Sequence, residues 1–237
     1  MRANTFSLPS IHICAEDAVT IGWPATLDQV MHQHILQYQH TLRAHLASVY
    51  IDSVVGFHTL TVYFDFTQIT NQQLITKLEQ LLNDVHEDIA DTASSKLIEI
   101  PTYYGAEAGI DIDDISQATG LSAEEIVTLH SQRSYHAYAL GFTPGFCYLA
   151  DIDSKLKLPR RASPRVRMPA GCVAIAEEQT AVYPTDSPGG WHIIGRTPLN
   201  MFSYTEQSIE TTISVGDEVR FVPISKAEYL SLGGCLD

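Results

Sequence analysis

The chain has 237 residues, 45% of them hydrophobic, and a formal net charge of -14 at pH 7. That apolar content supports one large core or two modest ones, and the length favours two. The acidic balance repels nucleic-acid backbones and anionic membrane surfaces, so neither is expected as a partner.

No run approaches the ~18 apolar residues of a membrane span, and no apolar segment of export-signal type follows Arg2. Cys14, Cys147, Cys172 and Cys235 are scattered, with no CxxC pair. Reduced thiols in a cytoplasmic protein are the expectation.

Short strands are predicted near Ile11 to Cys14 and Ala18 to Gly22. A long helix follows, with Leu27, Met31, Ile35, Tyr38, Leu42 and Leu46 on one stripe at spacings of three and four. Ser53 to Phe57, then Leu60, Val62 and Phe64 alternating with Thr59, Thr61 and Tyr63, read as a hairpin turning near Gly56 to His58. Leu74, Leu78, Leu81, Leu82 and Val85 mark a second amphipathic helix. Strand, strand, helix, strand, strand, helix is taken as a ferredoxin-like α+β domain over 1–95.

After the polar run NDVHEDIADTASS a second domain is expected over 96–237, opening with a strand from Lys96 to Tyr104. Helices follow over Ile112 to Thr119, ending at Gly120, and over Ala123 to Gln132, where Ser122 and Glu125 form a capping box. From Tyr135 on, short strands alternate with Pro and Gly turns and finish at Glu218 to Val222. A β-barrel with a helical insert is expected there.

Chemistry concentrates between Tyr135 and Phe202, where Pro and Gly are too dense for helix. Six of the 14 basic residues, Lys155, Lys157, Arg160, Arg161, Arg165 and Arg167, fall in one short stretch. Arginine forks suit carboxylate or phosphate, so this is either an anion site or a solvated loop. Phe142, Gly145, Phe146 and Tyr148 form an aromatic turn that can line a groove or partner face, or simply pack. The Gly-rich run at Pro188 is weak as a phosphate loop, because it lacks the phosphate-binding pattern and opens no helix.

His32, His34, His40 and His45 lie on the first long helix without HExxH, so they read as exposed polar-face residues and no metal site is expected. His130 ends a short helix, where the dipole favours a protonated imidazole; it serves as a cap or as a weak acid/base candidate. Cys147 reads as a small buried hydrophobe rather than a nucleophile.

GFTPGFCYL from Gly141, PRRASPRVRMPAGCVAIA from Pro159, QTAVYP from Gln179 and SPGGWHIIGRTP from Ser187 resemble, in order and spacing, the KipI or allophanate hydrolase subunit 1 family. The family usually has Pro where Cys147 stands and often Ser at Cys172. The resemblance implies a small α/β N-terminal domain followed by a cyclophilin-like β-barrel. It also implies a role in a heteromeric 5-oxoprolinase that opens 5-oxoproline to glutamate with ATP and Mg2+, alongside that enzyme's C and A subunits. Family members of other roles include an inhibitor of a sensor histidine kinase and the carboxyltransferase module of urea carboxylase. On the oxoprolinase expectation, Arg160, Arg161 and Arg165 contact carboxylate or phosphate and Gln179 and Tyr183 orient substrate by hydrogen bonds.

Overall fold

Alternation of apolar and polar side chains sets the first half of the chain. In the computed structural model, residues 9–84 and 95–236 are described, and the chain divides into two compact units between Ser94 and Ser95. In the first unit the strands β1 (Ser10–Ala15), β2 (Ala18–Gly22), β3 (Tyr50–Val55) and β4 (Thr59–Phe64) form an antiparallel sheet of order β1-β2-β4-β3. Val19, Ile21, Leu60, Val62 and Phe64 are buried on one face of it.

That face is covered by α1 (Gln29–His45) and α2 (Asn71–Asp84), which are tied together where the Tyr38 hydroxyl donates to the Leu82 carbonyl at 2.8 Å. Met31, Ile35, Leu42 and Leu46 supply the buried stripe as the spacing predicts. Leu27 precedes the helix, which starts where Asp28 caps the amides of Val30 and Met31, and Val85 lies outside the described residues. His32 is fully buried rather than on a polar face, while His40 and His45 are exposed. A ferredoxin-like chain runs βαββαβ, whereas this unit runs ββαββα, so mixed α/β is the description that stands.

In the second unit the strands β5 (Leu97–Thr102), β6 (Ser134–Leu140), β7 (Cys147–Ala150), β9 (Cys172–Ala176), β10 (Gln179–Val182), β12 (His192–Arg196) and β15 (Glu218–Pro223) form one sheet. Its seven strands lie in the order β12-β9-β10-β7-β6-β15-β5. The two ends meet at Tyr103 and Arg196, whose amides donate to each other's carbonyls at 2.8 and 2.9 Å, so the sheet nearly closes into a barrel. Closure removes most of the unpaired edge that an open sheet would leave.

Inside the barrel lie Ile100, Tyr135, Leu149, Val173, Ile175, Val182, Ile194, Val219 and Phe221. One end is plugged by α3 (Ile112–Thr119) and α4 (Ala123–Ser131), through Ile112, Ile115 and Ile126. Gly120, left-handed at φ 76°, stops α3, and the Ser122–Glu125 capping box starts α4. A short ribbon of β8 (Arg165–Met168) and β11 (Ser187–Gly189), a hairpin of β13 (Phe202–Tyr204) and β14 (Ile209–Thr211), and the helix α5 (Lys226–Ser231) complete the unit.

Candidate functional site: an aromatic pocket on the barrel wall

The run Cys172-Val-Ala-Ile-Ala is buried on both faces of β9, and its side chains alternate in size. Val173 and Ile175 face the barrel interior, while Cys172, Ala174 and Ala176 face outward beneath a second cluster. Ala181 and Tyr183 do the same at β10. Small residues on the outer face leave room for large rings above them, and Phe146, Tyr148, Tyr183 and Trp191 occupy that room.

Phe146 is the hub. Its ring meets Tyr148, Tyr183, Trp191 and Phe142 edge-on at centroid separations of 4.9, 5.3, 5.9 and 5.4 Å. These tilted contacts are the geometry that ring quadrupoles favour. Together with Arg160, Pro188, Gly189 and Gly190 the rings enclose a cavity of about 200 Å³.

Two turns aim this cluster. Thr143 to Phe146 closes a type II turn in which the Phe146 amide donates to the Thr143 carbonyl at 3.1 Å, with Pro144 first and Gly145 at φ 80° second. A Cβ at Gly145 would sit 2.8 Å from the Met201 carbonyl oxygen, so Gly145 serves the turn behind the pocket and does not line it. Immediately before it, Phe142 lies at φ 70° in a γ-turn closed by the Thr143 amide on the Gly141 carbonyl at 2.9 Å. A bulky residue at that φ is strained, and Phe142 is 60% exposed at the pocket wall. At the opposite rim a Cβ at Gly189 would collide with the Tyr183 hydroxyl, so only glycine lets β11 lie against that ring.

The arginines separate sharply. Arg161 and Arg165 converge on Asp111, the residue preceding α3, whose side chain is 1% exposed. Asp111 Oδ1 accepts from Arg161 Nη1 at 2.8 Å and Arg165 Nη2 at 2.5 Å, and its Oδ2 accepts from Arg165 Nη1 at 2.8 Å and the Ile193 amide at 2.7 Å. This carboxylate is saturated, and the two guanidinium groups tie the arginine-rich loop to α3 and β12, with Arg161 Nη1 also 3.3 Å from Asp114 Oδ2. Of the three arginines expected to meet a ligand, Arg161 and Arg165 thus lie on Asp111 and not among the residues that line the pocket. Arg160, one residue away, points to the pocket instead and is 58% exposed, with Nε 3.5 Å from Glu177 Oε1.

His130 likewise lies apart from the pocket lining. It is fully buried at the plugged end of the barrel, with Tyr104 Oη 2.8 Å from Nδ1 and Thr180 Oγ1 2.9 Å from Nε2. Thr180 donates to the Ala174 carbonyl, so its oxygen accepts from Nε2–H and the Tyr104 hydroxyl donates to Nδ1. The imidazole is neutral and fully paired. Burial drives its pKa down to about 3, overriding the small upward pull of the helix end. Buried and paired at both nitrogens, the ring is not among the residues that line the pocket.

Tyr183 lines the pocket, and burial pushes its phenol up to about 12, so it remains a donor. Gln179 begins β10 and is partly buried, but it is not among the pocket-lining residues. Cys147 and Cys172 are 1% exposed, and burial raises both thiols, Cys147 strongly. They behave as small apolar residues, as the sequence predicts for Cys147.

Residues not anticipated are Asp111, Trp191, the Pro188–Gly190 wall and Glu177. Sequence presents the run at Pro188 only as a weak phosphate loop, whereas in the fold its glycines provide closeness to a ring. The sole sequence signal for Asp111 is the acidic residue just before a helix.

Residues 9–212 match the family described as carboxyltransferase domain, subdomain C and D. The chain belongs to that family. Among its relatives, the 5-oxoprolinase B subunit of Bacillus subtilis (strain 168) is 37% identical over 188 residues, 76% of this chain and 78% of that protein. The protein of the same name from Haemophilus influenzae is 38% identical over 172 residues, 73% of this chain and 78% of that one. The family recognition made from motifs is thus borne out.

Of solved structures, TTHA0988 superposes with a TM-score of 0.76 at 29% identity over 89% of this chain. This chain spans 40% of that longer one. The Kluyveromyces lactis urea carboxylase matches 94% of this chain and 22% of its own with a TM-score of 0.75 at 14% identity, and so shares the fold.

Proposed function

We propose that this family member is one component of a multi-subunit 5-oxoprolinase and that its aromatic pocket holds 5-oxoproline. The observation that carries the proposal is one exposed-headed arginine, Arg160, at the rim of a small aromatic cavity, in a chain whose relatives bear that name. A flat lactam ring fits against Phe146, Tyr148 and Trp191, and Arg160 takes the carboxylate. Tyr183, protonated at neutral pH, donates a hydrogen bond to the lactam oxygen and orients it for attack. The close-packed rings keep bulk water off the bound face.

ATP with Mg2+ belongs to the proposed reaction but does not fit this pocket. A nucleotide needs several cations along its phosphates, and Arg161 and Arg165 are held by Asp111. The cavity of about 200 Å³ is also below the usual range for ligands of nucleotide size. The nucleotide is therefore assigned to a partner, the enzyme's A or C component, and no step on this chain runs through it. The cyclophilin-like name for the barrel rests on the family resemblance, and the cytoplasmic location on the scattered cysteines.

The test is ATP-dependent glutamate release from 5-oxoproline by this chain combined with its A and C partners, each omitted in turn. Turnover that needs this chain, with a KM raised about tenfold or more by Arg160→Gln, is the expected result, since a charge-assisted hydrogen bond contributes about 1.5–3 kcal/mol. Equal turnover without the chain, or an unchanged KM, would refute the proposal. The family's carboxyltransferase description favours a second reading, carboxyl transfer, which is tested by offering this chain urea together with carboxybiotin as the carboxyl donor and following release of biotin.

A further inference from the structure

The carboxylate beside Arg160 belongs to the turn between β9 and β10, and main-chain bonds fix its position. The Glu177 amide donates to the Leu158 carbonyl at 2.6 Å, and the Glu178 carbonyl accepts from the amides of Asp151 and Ile152 at 3.0 and 3.3 Å. Glu177 itself sits at φ 55°, in the left-handed region, which aims its side chain in a direction an ordinary strand residue would not take. Glu178 is engaged with Lys157 Nζ at 2.6 Å, so Glu177 is the carboxylate of this turn that faces Arg160. Both Glu177 and Arg160 are more than half exposed, at 57% and 58%, and their 3.5 Å separation is loose. An ion pair of that kind is weak enough for a ligand to break.

We infer that Glu177 is a counter-anion latch: its carboxylate parks the Arg160 guanidinium at the pocket rim until an anionic ligand displaces it, and so limits how tightly the pocket takes carboxylates. The inference rests on the reading that Arg160 receives the carboxylate of 5-oxoproline. Glu177 opposes such a ligand twice, by competing for the same guanidinium and by repelling the incoming charge. Removing its charge therefore strengthens binding, the opposite of what loss of a merely supporting residue does.

The test is calorimetric titration of the full chain with 5-oxoproline, and in parallel with 2-pyrrolidinone, the same ring without the carboxylate. Glu177→Gln tightens 5-oxoproline by roughly two- to five-fold, the range an exposed pair can supply, and leaves 2-pyrrolidinone unchanged. Glu177→Gly, which suits the left-handed backbone, gives the same gain, while Glu177→Asp keeps the wild-type affinity. In an Arg160→Gln background the competition is gone and only the repulsion remains, so Glu177→Gln gives a smaller gain for 5-oxoproline than it gives beside Arg160 and none for 2-pyrrolidinone. Measurable 5-oxoproline binding that is unaltered or weakened by both charge-removing variants overturns the latch alone. A wild-type chain and variants that all ignore 5-oxoproline overturn the pocket assignment, and the latch with it.

Discussion

Asp111 shows how much one buried carboxylate can hold. It takes four donors, from two arginines 50 and 54 residues away and from the Ile193 amide, with almost no exposure to water. Desolvating three charges is expensive, and the cost is offset only while the geometry is complete. Asp111→Asn leaves two guanidinium groups facing a neutral amide, and the expected loss is about 3–5 kcal/mol of stability, read as a lower midpoint in urea unfolding. An Arg160→Gln control, exposed and outside this cluster, shifts the same midpoint by less than about 1 kcal/mol. Should the two variants unfold alike, the division between structural and ligand-facing arginines would be wrong.

Among the elements, the ribbon of β8 and β11 and the turn before β7 decide whether the rings leave a cavity. Gly189→Ala places a methyl against the Tyr183 hydroxyl and Met168. The ring must shift into the cavity, so ligand affinity is expected to fall by about tenfold while the barrel stays folded, a split that titration and thermal melting together reveal. Full affinity in Gly189→Ala would mean that the ring can yield elsewhere.

These elements also mark where the sequence is legible. The limits of α3 and α4 follow from Gly120 and from the Ser122–Glu125 box, which are local chemistry. The aromatic turn is readable from Pro144-Gly145 for the same reason. Arg160 and Arg161 are not separable, because adjacent residues of an extended segment point to opposite sides and nothing local says which side is the pocket. Asp111 and His130 are hidden for a related reason: their partners lie 26 to 82 residues off and meet only through the fold of the barrel. At His130 a local rule, the helix dipole, loses to burial, a property of the whole fold.

At the scale of the molecule, burial of neutral imidazoles ties stability to acidity. His130 has its pKa lowered to about 3 and His136 to about 4, in both cases mainly by burial, and both lie in the second unit. The unfolded value is near 6.5, so the unfolded chain takes up protons first as pH falls. Stability from these groups is complete above about pH 6.5 and is lost as pH drops towards the folded values, at a slope approaching about 1.4 kcal/mol per pH unit for each histidine. Each unit carries one tryptophan, Trp23 in the first and Trp191 in the second, both buried. Trp23→Phe therefore leaves Trp191 as a reporter of the barrel alone. With that reporter, urea midpoints taken between pH 7 and pH 4.5 are expected to fall steadily, and adding His130→Gln lowers stability throughout while making the dependence on pH shallower by roughly one histidine's slope. An equally steep profile in the His130→Gln chain would show that His130 takes up its proton in the folded barrel and that the buried neutral imidazole is wrong.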